Sequence, residues 1–214
     1  MTPIELLRKE IALDVFDYNQ IMFVLADYKK PRDVVTKLLK NSKILRIRKG
    51  FYCFGPVWCR QTLSTEVFAN LIFGPSAISL DYALYHYGLI PEQVKTITSV
   101  TPGRKRLYET PVGKFLYIHL PTQFFSFGLS MENTKSDKYL IMKPIKALAD
   151  KVWTDSRFNP RSLKVFSDYL FQDLRIDEKI LLTFLNEDIL TEIEHNFTTK
   201  KIKLLVEFLD RLNK

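Results

Sequence analysis

Residues Tyr28 to Arg60 read YKKPRDVVTKLLKNSKILRIRKGFYCFGPVWCR and hold ten Lys or Arg side chains against one acid, Asp33. The formal charge of the whole chain of 214 residues is +8, so the rest of it is close to neutral and the basicity is local. Net charge alone argues only for non-specific attraction to polyanions, whereas charge gathered in one segment points to a surface. Pro31 is placed to open a helix, because proline disfavours helix at the residue before it and suits the first helical position. Over Pro31–Lys40, Val34, Val35, Leu38 and Leu39 fall on one side, and Arg32, Asp33, Thr36, Lys37 and Lys40 on the other. One face packs and the other is free to meet phosphate. Ile44–Arg48 alternates with strand periodicity, which puts Arg46 and Arg48 on one face. Lys49-Gly50 supplies a turn in which glycine accepts the positive φ of a tight hairpin, and Phe51–Phe54 returns as the second strand.

A helix, a short strand, a basic turn and an aromatic return strand, in that order, are the parts of a helix-turn-helix recognition helix followed by a β-hairpin wing. In that arrangement the second helix of the pair enters the major groove with its N-terminal residues near base edges. Arg32, Thr36 and Lys37 are then the base-facing candidates, with Lys40 on the same free face and Lys29 and Lys30 on phosphate. Arg46, Arg48 and Lys49 gather near the hairpin tip, suited to gripping the DNA backbone beside the groove. A solvated basic hairpin with no ligand is the competing reading. Upstream, Thr2 as a cap, Pro3 as first helical residue and Ile4, Leu7 and Ile11 at helical spacing predict a helix over Pro3–Leu13. Asp17 caps a second helix, Asp17–Ala26, with Ile21, Val24 and Leu25 inward.

Beyond Arg60 the charge density drops. Leu63, Val67 and Leu71 predict a helix over Gln61–Gly74, and Ser79 is read as the cap of a helix carrying Leu80, Ala83, Leu84 and Tyr87. Val94–Val100, Lys105–Tyr108, Lys114–Leu120 and Phe124–Phe127 are short β-branched or aromatic runs between proline-containing turns, which predicts an antiparallel sheet. Phe115, Tyr117 and His119 share one face of it and Leu116 and Ile118 the other, so helices should cover both faces. Ile141–Trp153 returns to helix, and Ser162–Leu212 reads as three or four more. The expected class is α+β: a winged helix-turn-helix over residues 1–60, then a mixed domain over residues 61–214 with an antiparallel sheet and C-terminal helices.

Chemistry-bearing constellations are sparse. His86, His119 and His195 fall in different elements without metal-ligand spacing, and Cys53 and Cys59 have no second pair, so structural thiols are expected and no metal. No P-loop, GxGxxG or GxSxG motif occurs. A nucleotidyltransferase would need paired carboxylates after a Gly-Ser turn, and Gly74-Pro75-Ser76 is followed only by Asp81. No catalysis and no cofactor are expected. Arg104-Lys105-Arg106 follows a Pro-Gly turn and could touch nucleic acid, an acidic protein surface or only water. Asp177-Glu178 and Glu187-Asp188 look like helix starts. No apolar run reaches the roughly 18 residues of a membrane span, and MTPIELLRKEIALDVF lacks an uninterrupted apolar segment, so a cytoplasmic protein is expected.

Several segments together resemble the AbiEi-type antitoxin family, the transcription-repressing partner of a nucleotidyltransferase toxin in type IV toxin-antitoxin systems. IRKGFYCF resembles its basic-Gly-aromatic wing ending, AISLDYALYHYGLI its ISLxxALxxxGLI segment, FFSFG its aromatic strand ending in glycine, and MKPIKALAD its PEKALxD helix. Ile145 stands where the family has Glu, while Lys146, Ala147, Leu148 and Asp150 match. The resemblance implies a winged helix that represses its own operon at inverted repeats in double-stranded promoter DNA. It also implies a second domain that neutralises a nucleotidyltransferase-like toxin protein. The rival class is a protein-interaction module that keeps the winged-helix shape without binding DNA.

Overall fold

The structure, a computed structural model, describes residues 1–61, 64–134 and 137–213. The chain opens as α1 (Pro3–Glu10), β1 (Val15–Asp17), α2 (Tyr18–Val24), α3 (Pro31–Lys40), β2 (Ile44–Arg48) and β3 (Phe51–Phe54). Local chemistry sets these boundaries. Thr2 and Glu5 form a reciprocal capping box on α1, Asp17 and Gln20 do the same on α2, and Pro31 opens α3. Both of the first two helices are shorter than the sequence pattern, and β1, unforeseen, lies between them. It pairs with β3, giving an antiparallel sheet in the order β1-β3-β2. Ile4, Leu7, Phe16, Ile21, Leu25, Val35, Leu38, Ile44, Tyr52 and Phe54 bury together between the helices and this sheet.

After α4 (Thr65–Ile72), β4 (Ala77–Ile78) and α5 (Leu80–His86) come β5 (Ile97–Thr101), β6 (Arg106–Thr110), β7 (Gly113–His119), α6 (Thr122–Phe125), β8 (Leu129–Asn133) and β9 (Lys138–Met142). The Leu63 part of the expected helix lies outside the described residues. The strands form one sheet in the order β6-β7-β5-β4-β9-β8. It is mixed, which corrects the antiparallel expectation: β5 runs parallel to β7 and β4 parallel to β9. The reason is that β6 takes the edge and β7 returns between it and β5, an order that local strand signals cannot reveal. Phe115 and Tyr117 are fully buried, with the Tyr117 hydroxyl donating to the Ala69 carbonyl of α4 at 2.6 Å, whereas Leu116 and Ile118 on the opposite face are only half-buried.

Two further expectations fail for identifiable reasons. Phe124–Phe127 is not a strand: residues Thr122–Phe125 form the short α6, because Phe124 stacks on Phe197 at 4.3 Å and against Trp153, and that packing outweighs aromatic β-propensity. Ile141 and Met142 end β9 instead of starting a helix, since Pro144 sets the first turn of α7 (Pro144–Thr154). The remainder is α8 (Leu163–Asp168), a π-helical turn (Tyr169–Asp173), α9 (Glu178–Phe184), α10 (Glu187–Asn196) and α11 (Lys200–Leu212). Asp177 caps α9, and Glu187 and Asp188 sit in the first turn of α10, as their spacing suggests. Among the described residues no helix is long and apolar enough to cross a membrane.

The second unit is organised around a buried ion pair. The Lys146 ammonium donates to Asp150 one turn further along α7, and both side chains are 0% exposed. Ser79 stands at the N-cap position of α5 but makes no cap bond; its hydroxyl donates instead to the second oxygen of Asp150 at 2.8 Å. The chain enters that helix through Leu80 at φ +61, a conformation that costs a non-glycine residue about 1–3 kcal/mol and that the burial of Leu80 holds in place. The ammonium also lies over the rings of Phe127 and Phe197, at 4.9 and 5.3 Å. Gly128, at φ +68, leaves room for the lysine stem: a Cβ there would sit 2.6 Å from Lys146 Cγ. Burial pushes the pKa of Lys146 below its ordinary value and that of Asp150 above its own, and each partner's charge opposes the shift. Lys146→Met or Asp150→Ala leaves the other charge buried alone and is expected to cost about 3–5 kcal/mol in urea unfolding. The double variant should cost less than the sum of the two; strict additivity would show that the pair is not coupled.

Candidate nucleic-acid interface

α3 divides its surface cleanly. Val35 and Leu38 are buried and Val34 and Leu39 half-buried against the first core, while Arg32, Asp33, Thr36, Lys37 and Lys40 are all exposed. At 3.6 residues per turn the exposed set covers one continuous arc of less than half the helix. The Thr36 hydroxyl donates to the Arg32 carbonyl at 3.0 Å, so its proton is committed to the helix and its lone pairs are what face outward. Lys29 and Lys30 are exposed at the N-terminal end of α3, Lys30 at the N-cap position. Lys37 and Lys40, in the last turn, also complement the helix dipole, an interaction of about 0.3–1 kcal/mol that needs no ligand.

The hairpin β2–β3 departs from simple alternation. Arg46 is paired with Tyr52 and Arg48 with Phe51, leaving Ile47 as an extra residue in a bulge. Because paired residues share a face of the sheet, Arg46 stands on the side of Tyr52 and the first core, and Arg48 on the side of Phe51, which packs on the second core. The expected common face of Arg46 and Arg48 is therefore split by the bulge. The Arg48 guanidinium lies 5.6 Å from the Phe51 ring centroid. Gly50 turns the tip at φ +80, and Arg46, Arg48 and Lys49 are all exposed. Arg46 stays on the side of the first core, whereas Arg48 turns towards the side of the second. There, burial and the neighbouring Tyr108 raise the pKa of Tyr117, and the Arg48 charge opposes them.

Arg60, the last basic residue of the segment, is exposed but its guanidinium is held by the chain itself. Its guanidinium donates to the carbonyls of Ala12 at 2.9 Å and Arg8 at 3.1 Å. Asp14, with a side chain 8% exposed, accepts from the backbone N–H groups of Arg60 and Gln61 at 3.0 and 2.9 Å and from the Arg8 guanidinium. Arg8 in turn donates to the Ile11 and Ala12 carbonyls and lies over the Phe54 ring at 4.0 Å. This staple fastens the exit of α1, the start of β1 and the chain leaving β3. Sequence spacing gave no sign of it, since its members are 46 residues or more apart for Asp14 and Arg60.

The cysteines sit beside it. Cys53 is buried and Cys59 half-buried, both as free thiols, and the Cys59 thiol donates to the Phe54 carbonyl at 3.2 Å. Burial, with Cys59 and Asp14 adding, pushes the Cys53 thiol up to about 12, so it stays protonated and inert near neutral pH. Arg104, Lys105 and Arg106 are exposed in the turn before β6 and at its first position. His86, His119 and His195 lie on α5, β7 and α10 and are not brought together. No protein-family model matches the chain, and no curated protein matches it either.

Burial works to raise the pKa of Asp14, but the two backbone N–H groups and the Arg8 guanidinium outweigh it and hold the carboxyl below its ordinary value of 3.8. A depressed carboxyl pKa adds stability that is complete above the unfolded value and is lost as pH falls through the folded one. Asp14→Asn is thus expected to destabilise the chain by about 2 kcal/mol near neutral pH. In urea titrations the gap to the unaltered protein should close below pH 3.8. A gap that persists unchanged in strong acid would contradict the ionic assignment.

Proposed function

We propose that the chain is a DNA-binding transcriptional repressor of antitoxin type. Residues 1–60 act in this reading as a winged helix-turn-helix and residues 61–214 as the unit that meets a partner protein. The observation that carries it is the α3 face: a continuous exposed arc with Arg32, Lys37 and Lys40, with Lys29 and Lys30 exposed at its start and Arg46 and Lys49 exposed on the hairpin that follows, on a unit ordered helix, strand, helix, helix, strand, strand. α3 is the reader, with Arg32 and Lys37 directed at base edges and Thr36 able to accept from a base amino group. Arg46 and Lys49 hold the backbone. Arginine is suited to bidentate contact with guanine, and lysine to phosphate as a point charge.

The antitoxin role rests on the resemblance of four segments. Three of them supply the buried cluster of Ser79, Phe127, Gly128, Lys146 and Asp150, so the motif residues support one another in space. On this reading the protein works in the cytoplasm, represses its own operon at inverted repeats and neutralises a nucleotidyltransferase-like toxin, with no catalytic step of its own.

If about four basic side chains neutralise phosphates, log K falls with log salt at a slope of about −3.6, roughly a hundredfold loss between 50 and 200 mM. Gel shift or fluorescence anisotropy on the DNA upstream of the reading frame measures it. Arg46→Ala with Lys49→Ala should weaken operator and random duplexes alike, whereas Arg32→Ala or Lys37→Ala should also lower the ratio between them. No shift at any salt concentration, together with a tight protein complex, would favour the interaction-module reading instead.

A further inference from the structure

The large sheet ends on two edges of different character. β6 carries the exposed Arg106 and Glu109 and is approached by β2 of the hairpin. Charge and a covering segment are what keep an edge from pairing with further strands. β8, Leu129-Ser130-Met131-Glu132-Asn133, lacks the covering segment: among the described elements only β9 makes extended contact with it. It holds no lysine, arginine or proline, and its register with β9 runs without a bulge. Its single charge, Glu132, is half-buried on the face of Tyr139, while Met131 on the other face is 58% exposed.

Hydrogen bonds at both ends of β8 show which way its backbone points. The Gly128 carbonyl accepts from the Lys143 N–H at 2.8 Å just before the strand, and the Thr134 N–H donates to the Asp137 carbonyl at 2.7 Å just after it. Opposed residues of an antiparallel pair alternate between bonded and non-bonded. Ser130 and Glu132 therefore bond to β9, and Leu129, Met131 and Asn133 turn their N–H and carbonyl groups outward. Leu140 has the matching phase. It opposes Met131, yet its N–H donates to Asn70 Oδ1 at 2.5 Å and its carbonyl accepts from Asn70 Nδ2 at 3.3 Å, away from β8. Among the described residues no other backbone takes up the outward groups.

We propose that β8 is an interface between two copies of this chain, paired antiparallel edge to edge about a two-fold axis at Met131. The strand is complementary to itself in that register. Leu129 then faces Asn133 of the second copy and Met131 faces Met131, as pairs that exchange both N–H···O bonds. Ser130 faces Glu132 between them, so its hydroxyl can donate to the carboxylate and no like charges stand directly opposite. A two-residue shift one way sets Glu132 against Glu132, and the reverse shift leaves Asn133 beyond the partner strand. A foreign strand would gain the backbone bonds without this match. The dimer joins the large sheets of two copies into one continuous sheet and needs no nucleic acid.

Sedimentation equilibrium of the full chain without DNA, from micromolar to several hundred micromolar, measures the association. The unaltered chain is expected to approach twice the monomer mass. Met131→Lys, which sets two cations against each other on the axis, should weaken dimerisation by about tenfold or more. Leu107→Lys, the same change on the opposite edge strand, should leave it unaltered. Both side chains are exposed, so both variants should fold, as circular dichroism would verify. An equimolar mixture of Met131→Lys and Met131→Glu should dimerise again, because opposite charges then meet at the same pair. A full chain that stays monomeric throughout overturns the proposal. So does a Met131→Lys variant that dimerises as well as the unaltered chain, a Leu107→Lys variant that loses as much, or a mixture that stays monomeric.

Discussion

The structure depends on a hairpin that is buried on both faces. β2–β3 sends Ile44, Tyr52 and Phe54 into one core and Ile47 and Cys53 into another. Full burial of an aliphatic side chain stabilises by about 1.5–3 kcal/mol, so Ile47 alone is a substantial tie between the two halves. Plain alternation through Ile44, Leu45, Arg46 and Ile47 gives this two-sided burial, and the bulge redirects only the side chain after it, Arg48. The bulge also puts Arg48 on the opposite side of the hairpin from Arg46. Alternation thus sets the packing of the hairpin, and one irregularity in strand pairing sets where Arg48 lies.

The first third of the chain was legible because its signals are redundant. Pro31, the spacing of Val35 and Leu38 and the run of cations gave the limits of α3 as they stand, and Lys49-Gly50 gave the hairpin. The bulge was not legible, because Arg48 changes face through a pairing register that only the partner strand defines. The large sheet was read poorly for a similar reason. β4 is two residues long, β8 carries a half-exposed mixture at the edge, and the parallel pairings join segments far apart in sequence. Periodicity carries no information about such neighbours.

Polar groups that organise the fold were hidden in the same way. Ser79 was read as a helix cap, and Lys146 and Asp150 only as matches to a motif; the three form a closed buried cluster. Desolvation of both charges is costly, and their mutual attraction with the serine and aromatic contacts offsets it. Arg8, Asp14 and Arg60 repeat the idea at the edge of the first unit, converting one of ten cations in the basic segment into a staple. Arg60 is thus fixed in place by carbonyl groups, whereas the cations on α3 and the hairpin are exposed side chains.

The central claim is that α3 and the hairpin meet DNA. Hydrogen–deuterium exchange of the full chain, with and without duplex DNA from upstream of its reading frame, addresses it at the level of individual segments. The account predicts added protection at the start of α3 and in the turn around Lys49 and Gly50, with the C-terminal helices unchanged. Protection confined to the C-terminal helices, or none at α3 under conditions where the duplex is bound, would contradict it.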